Sequence, residues 1–82
     1  MKMEGRVIGV NRKTAFVAVT TDGGITVFEL LGGYEIENDD IVSGELENHG
    51  GEIILNVTRQ EKMDVFIQGV HCTHEFAQKL LE

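Results

Sequence analysis

Proline and tryptophan are missing from this chain, and cysteine and serine occur once each, as Cys72 and Ser43. With one cysteine there is no internal disulfide, so nothing in the composition calls for an oxidising compartment. With one serine and no nucleophile-elbow pattern around it, the usual serine-hydrolase arrangement is missing. No apolar run approaches the roughly 20 residues of a membrane helix. The N-terminal MKMEGR lacks the apolar stretch of a signal peptide. A soluble, cytoplasmic protein is the expectation. Bases are also scarce: seven Lys and Arg stand against 14 Asp and Glu, for a net charge of -7. A chain so acidic is a poor generic ligand for a polyanion.

What is present is glycine and alternation. The ten glycines suit many tight turns, and 82 residues suffice for one domain near the small end of chains that fold unaided. The chain is therefore expected to be a single domain over 1–82. Gly5 to Leu31 reads as three consecutive strands. Apolar residues alternate on both sides of the turn Asp22-Gly23-Gly24, a strong hairpin signal. Counting across that turn as three residues places Val17, Val19, Ile25 and Val27 on a buried face. Phe16, Ala18, Thr26 and Phe28 fall on the other, outward face.

The first strand spans about Gly5–Val10, with Gly9 marking a bulge or bend, and Asn11 to Thr14 forms a polar, basic loop. Tyr34 to Asp40 lacks alternation and reads as a connection with room for one helical turn. A fourth strand is expected over Ile41–Glu47, and Asn48-His49-Gly50-Gly51 forms a turn. The fifth strand, Glu52–Thr58, places Ile53, Leu55 and Val57 inward and Asn56 and Thr58 outward. A sixth, about Met63–His71, carries Val65 and Ile67 on one parity and Phe66 and Val70 on the other. Thr73 is placed as a helix N-cap, with Glu75 in the first turn, where an acid complements the helix dipole. Phe76, Ala77, Leu80 and Leu81 form the apolar stripe of a helix too short to stand without docking. The expected fold is mainly all-β: a five- to six-stranded antiparallel OB-like barrel with a short C-terminal α-helix. A closed barrel would remove the exposed edges that endanger a small β-protein.

Lys13-Thr14-Ala15-Phe16-Val17-Ala18-Val19, Gly24-Ile25-Thr26-Val27-Phe28-Glu29-Leu30 and Asp39-Asp40-Ile41-Val42 follow one another in a recognisable order. Over about Glu4 to Thr58 this order resembles the OB-fold barrels of the S-one RNA-binding type, with cold-shock domains as near relatives. The resemblance implies a ligand on the second and third strands, with Phe16 at a base-stacking position. The chain departs from that pattern at three places. Asp39 replaces a glycine, and Thr26 stands where many members of the family carry an RNA-contacting histidine. Residues 62–82 add a strand and a helix to the 4–58 barrel motif.

The candidate nucleic-acid site is therefore Phe16, Phe28 and Thr26, with Arg6, Arg12 and Lys13 for phosphates. Single-stranded bases stack on aromatic faces, and Lys and Arg meet the backbone. The competing expectation is that the C-terminal helix, through Phe76 and Leu80, packs over the two rings. Charge distribution offers a different partner. From Glu35 to Glu52 there are seven acids and no base, leaving seven acids against all seven bases elsewhere. This favours a protein-interaction module that uses its acidic surface or an exposed sheet edge. His71, Cys72 and His74 contain imidazole and thiolate donors suited to zinc or copper, but only His49 remains as a candidate fourth ligand. Neighbouring strand residues point to opposite faces, however, so His71 and Cys72 converge only across a bend. No metal site is expected: Cys72 is placed as a small buried residue and His74 on the surface of the first helical turn. Asp39-Asp40 lacks the glycine and spacing of a calcium loop and reads as a turn cap. No cofactor motif is present, and a non-catalytic binding module is expected. The sequence leaves the oligomeric state open.

Overall fold

The computed structural model describes residues 2–82. Six strands, β1 (Met3–Asn11), β2 (Phe16–Thr21), β3 (Gly24–Leu30), β4 (Ile41–Gly44), β5 (Gly50–Asn56) and β6 (Glu61–Cys72), precede one helix, α1 (His74–Leu81). The strands close into a barrel in the order β1-β2-β3-β6-β5-β4, and every neighbouring pair is antiparallel. Two three-strand meanders are joined by a crossover at residues 31–40. β6 is a stave of the barrel, lying between β3 and β5, so the strand count is six.

The β2–β3 hairpin sets the interior. Its loop is the two residues Asp22-Gly23, and Thr21 pairs with Gly24, whose φ of +129° suits only glycine. A two-residue loop pairs positions of opposite parity on β2 and β3: Val17 with Phe28, Val19 with Thr26, Ala18 with Val27. Opposed residues share a face. The expected parity is therefore corrected on β3, because the turn is one residue shorter than the sequence reading assumed. Val17, Val19, Thr26 and Phe28 point into the barrel. Phe28 is fully buried with Val7, Ile36, Val42, Leu46, Ile54, Met63, Val65 and Ile67. Thr26, expected outside, is enclosed and donates its hydroxyl hydrogen to the Leu46 carbonyl at 2.9 Å.

Ile25 and Val27 are buried too, outside the barrel wall. There they form a second core with Ala18 and Ala77, flanked by Ile8, Phe16, Cys72, Leu80 and Leu81. α1 is the cover. Thr73 caps it by accepting from the Phe76 amide at 3.1 Å, and the Asn11 side-chain amide donates to the Leu81 carbonyl at its other end. The bulge expected at Gly9 is present as a register shift between Val7 and Gly9. A side chain at Gly9 would meet the end of the Leu81 side chain at 2.9 Å, so any other residue there would make Leu81 shift. Phe76, expected in the packed stripe, is 52% exposed, while Ala77, Leu80 and Leu81 face the barrel.

β4 stops at Gly44, short of the expected Glu47, and the chain turns so that Leu46 enters the core. The crossover contains no helical turn and inserts Ile36 as a further core residue. On β5 the expected parity is inverted: Ile54 and Asn56 are buried, whereas Ile53, Leu55 and Val57 face out. Asn56 is drawn inward because it donates to Asp40 at 3.0 Å and accepts from the Arg59 amide at 3.1 Å. A buried amide is tolerated where such partners are supplied.

Candidate interaction surface

The proposed stacking pair is split by the barrel wall. Phe28 is sealed in the interior and Thr26 beside it, so neither can touch a base. Phe16 lies on the outer face and is partly buried at the edge of the second core. All three bases, Arg6, Arg12 and Lys13, are exposed, but only Arg6 and Lys13 have no hydrogen-bond or ion-pair partner for their side chains among the described residues. Arg12 instead clasps the crossover, donating to the Ile36 carbonyl and pairing with Glu37, each at 3.0 Å. The sequence-derived constellation is therefore reduced to one half-covered ring and two free-standing cations.

The H-C-x-H residues diverge. His71 has a positive φ of 54°, and its ring sits 2.8 Å from the Gly23 carbonyl and 3.4 Å from Glu47. Cys72 turns into the second core, and burial pushes its thiol pKa up, which disfavours the thiolate that zinc requires. His74 is exposed at the start of α1. Among the described residues, no group of three or more His, Cys, Asp or Glu side chains is placed to hold a metal ion.

Asp40 has a structural task. It accepts from the Glu37 amide, from Asn56 and from Arg59 Nε, the last at 2.8 Å, and so ties the crossover to the end of β5. Burial alone would raise its pKa. The hydrogen bonds from Asn56, Arg59 and the Glu37 amide outweigh that and hold it below the ordinary carboxylate value. The same bond to Asp40 raises the pKa of Arg59.

A different surface stands out on β5 and β6. The outward residues of β5 and the one after it are largely apolar, and β6 adds one ring among its outward Lys62, Asp64 and Gln68: Ile53 is 62% exposed, Phe66 43%, and Leu55 and Val57 38% each. Leu31, at the start of the crossover, is 56% exposed and adjoins them through its amide, which donates to the Asp64 carbonyl. Scattered exposed apolar residues are ordinary, but a contiguous group marks an interaction site. Ile53 and Leu55 are same-face neighbours two residues apart on β5, and the strand registers interleave the group with charged residues. Asp64 pairs with Ile53, Lys62 with Leu55, and Phe66 with Gly51 on one side and Glu29 on the other. An open groove of about 600 Å³ runs between Leu31, Gly51, Glu52, Ile53, Asp64 and Val65.

The rim is acidic. Glu52 and Asp64 line the groove, and Glu29 lies between Phe16 and Phe66 in one cross-strand row. Lys62 is the one base of β5 and β6 and sits at the far end, opposite Leu55. Phe66 is the residue that the sequence reading passed over. Its parity is opposite that of Val65 and Ile67, and the alternation alone does not say which of the two sets is buried; the structure buries Val65 and Ile67 and leaves Phe66 outside. No helix among the described residues is long and apolar enough to cross a membrane. No protein-family model matches the chain, and neither the curated proteins nor the solved structures compared with it include a match.

Proposed function

We propose that this protein is a non-catalytic binding module whose partner is another protein, held on the outer face of β5 and β6. The observation that carries this reading is the set of exposed apolar residues on one face, with Leu31 and Ile53 lining an open groove and Leu55 and Phe66 exposed on the neighbouring positions of β5 and β6. Burying such a face removes apolar surface from water, at about 25 cal/mol per Å². Aromatic anchors with a polar rim are the usual composition of a protein interface.

A single-stranded nucleic acid is the second reading, drawn from the S-one-type resemblance. It retains Phe16, Arg6 and Lys13 but lacks the second ring, because Phe28 is inside the barrel. The exposed ring nearest Phe16 in register is Phe66, and Glu29 stands between the two. A carboxylate there repels the phosphates that would have to pass it.

The test is site-specific crosslinking in cells that produce the protein. A photoreactive benzoylphenylalanine at position 66 is expected to form a discrete protein adduct. Adding Ile53→Glu should abolish that adduct without unfolding the barrel, since Ile53 already faces water. An adduct to nucleic acid, an adduct indifferent to Ile53→Glu, or no adduct would contradict the reading.

A further inference from the structure

Three segments far apart in sequence meet at one place: the β2–β3 turn at Gly23, the connection after β4 at Glu47, and the end of β6 at His71. The backbone of β6 delivers the third. Val27 pairs with Gly69 and Ile25 with Cys72, so β6 carries one residue more than β3 between the two pairs. A bulge of this kind re-aims a side chain. His71 takes a positive φ of 54° there, a conformation that His, Asn and Asp adopt more readily than most residues. Its ring is thereby turned onto the hairpin tip.

The ring faces two acceptors. Nδ1 lies 2.8 Å from the Gly23 carbonyl, and Nε2 lies 3.4 Å from a Glu47 carboxylate oxygen. Neither oxygen can donate, so each contact needs a hydrogen on the ring nitrogen. A neutral imidazole has one such hydrogen and the imidazolium has two. Only the protonated ring holds both partners at once. The Gly23 contact is the shorter, so the neutral ring keeps its hydrogen on Nδ1 and turns a lone pair toward the Glu47 carboxylate. Glycine is part of the fit, since a side-chain atom built on Gly23 would collide with Glu47 and crowd the His71 ring at 3.1 Å.

Glu47 is the charged group within ion-pair range of the ring among the described residues. The other titratable groups on the segments that meet here are Asp22 on the turn, Glu45 and His49 on the connection, and Cys72, His74 and Glu75 after His71.

We propose that His71 is a pH-sensitive latch. Protonated, it ties the hairpin tip and the Glu47 connection to the corner where β6 gives way to α1; deprotonated, it lets go of Glu47. Histidine ordinarily changes charge between about pH 5 and 8, and a glutamate stays ionised through nearly all of that range. The latch is therefore closed on the acid side, and its contribution is lost as pH rises past the ordinary imidazole value of about 6.5. Thr73, two residues on, caps α1, so the latch holds the entry to the helix that covers β2 and β3. The device is separate from the β5–β6 face and does not depend on what that face binds.

The test follows the isotope-labelled full-length protein between about pH 5 and 8, the range in which histidine titrates. The His71 ring-nitrogen shifts are expected to show both nitrogens protonated at the acid end and the Nδ1–H form in the neutral ring. The Ala77 amide, which donates to the Thr73 carbonyl in the first turn of α1, reports on the helix entry. Corrected for its intrinsic rate, its exchange should be about twofold to fivefold faster at the alkaline end, the size expected of an exposed ion pair. His71→Asn, which tolerates the same backbone but does not titrate, should remove this pH dependence. Glu47→Gln should flatten it, because a side-chain amide can accept from the protonated ring or donate to the neutral one. A neutral ring carrying its hydrogen on Nε2, or a pH dependence at Ala77 that survives His71→Asn, would overturn the latch. Exchange at Ala77 that does not change with pH in the wild type would overturn it as well.

Discussion

Phe28→Ala is expected to destabilise the protein strongly. The ring is fully buried in the barrel interior, opposite Val17 and among Val19, Ile54, Met63 and Val65. Truncating a buried phenylalanine costs about 3 to 5 kcal/mol in lost transfer energy and residual cavity. A domain of this size has a total stability of about 4 to 12 kcal/mol, so that loss is at least about a quarter of it. Phe16→Ala should cost clearly less, because that ring is only partly buried on the outer wall. Urea unfolding of the two variants checks this directly. A Phe28→Ala protein as stable as Phe16→Ala would mean that the two rings share an environment, as the three-residue turn had implied.

Asp40→Ala should be the second most damaging change. It removes the acceptor for Asn56, Arg59 and the Glu37 amide at once, and with it the tie between crossover and β5. The buried Asn56 amide is then left without its partner, and the expected loss is about 3 kcal/mol. The pH dependence follows from the direction of the Asp40 shift. Its folded carboxyl lies below the ordinary value of 3.8, so the folded state binds this proton less readily than the unfolded chain. The stability it contributes is fully present above the unfolded value and is lost as pH falls through the folded one. The gap between wild type and Asp40→Ala, measured by denaturant unfolding, should therefore be widest near neutrality and close progressively under acid. A gap that widened under acid would contradict the assignment.

The strands, the N-cap at Thr73 and the bulge at Gly9 were legible from alternation, turn residues and capping chemistry, all of which are local. Which face each strand buries was less so. On β3 the answer turned on one residue of loop length, and a one-residue slip moves every side chain to the other face. On β5 the run Ile53-Ile54-Leu55 offers apolar side chains to both faces, and only Asp40, 16 residues from Asn56, decides the matter. The placement of β6 between β3 and β5 is a pairing across more than 30 residues, which no local pattern encodes. Ile36 stands alone in an acidic stretch, with no periodicity to announce it as core.

The candidate site followed the same division. The resemblance directed attention to Phe16 and Phe28, which local parity set side by side and the two-residue turn separates. The parity of Phe66 was visible, but its side of the wall and its company were not. Ile53 and Leu55 had been counted as core, and they join Phe66 only once β5 and β6 pair in the register Gly51–Phe66 and Ile53–Asp64. The helix, expected over the face of Phe16 and Phe28, does cover the outer surface of β2 and β3, with Phe16 beside Leu80 and Leu81 in the second core. Phe28 lies inside the barrel instead, Phe76 stays exposed, and the β5–β6 face is left open.

One comparison bears most directly on what this protein binds. Isotope-labelled protein at low salt is titrated with a short mixed-sequence single-stranded RNA, with amide shifts followed at every residue, and the benzoylphenylalanine crosslink from position 66 is run beside it. The account predicts a protein adduct from position 66 and an RNA that leaves Arg6, Lys13 and Phe16 where they were. Saturable RNA-induced shifts centred on Arg6, Lys13 and Phe16, with no protein adduct from position 66, would contradict a protein-binding face and return the nucleic-acid reading to first place.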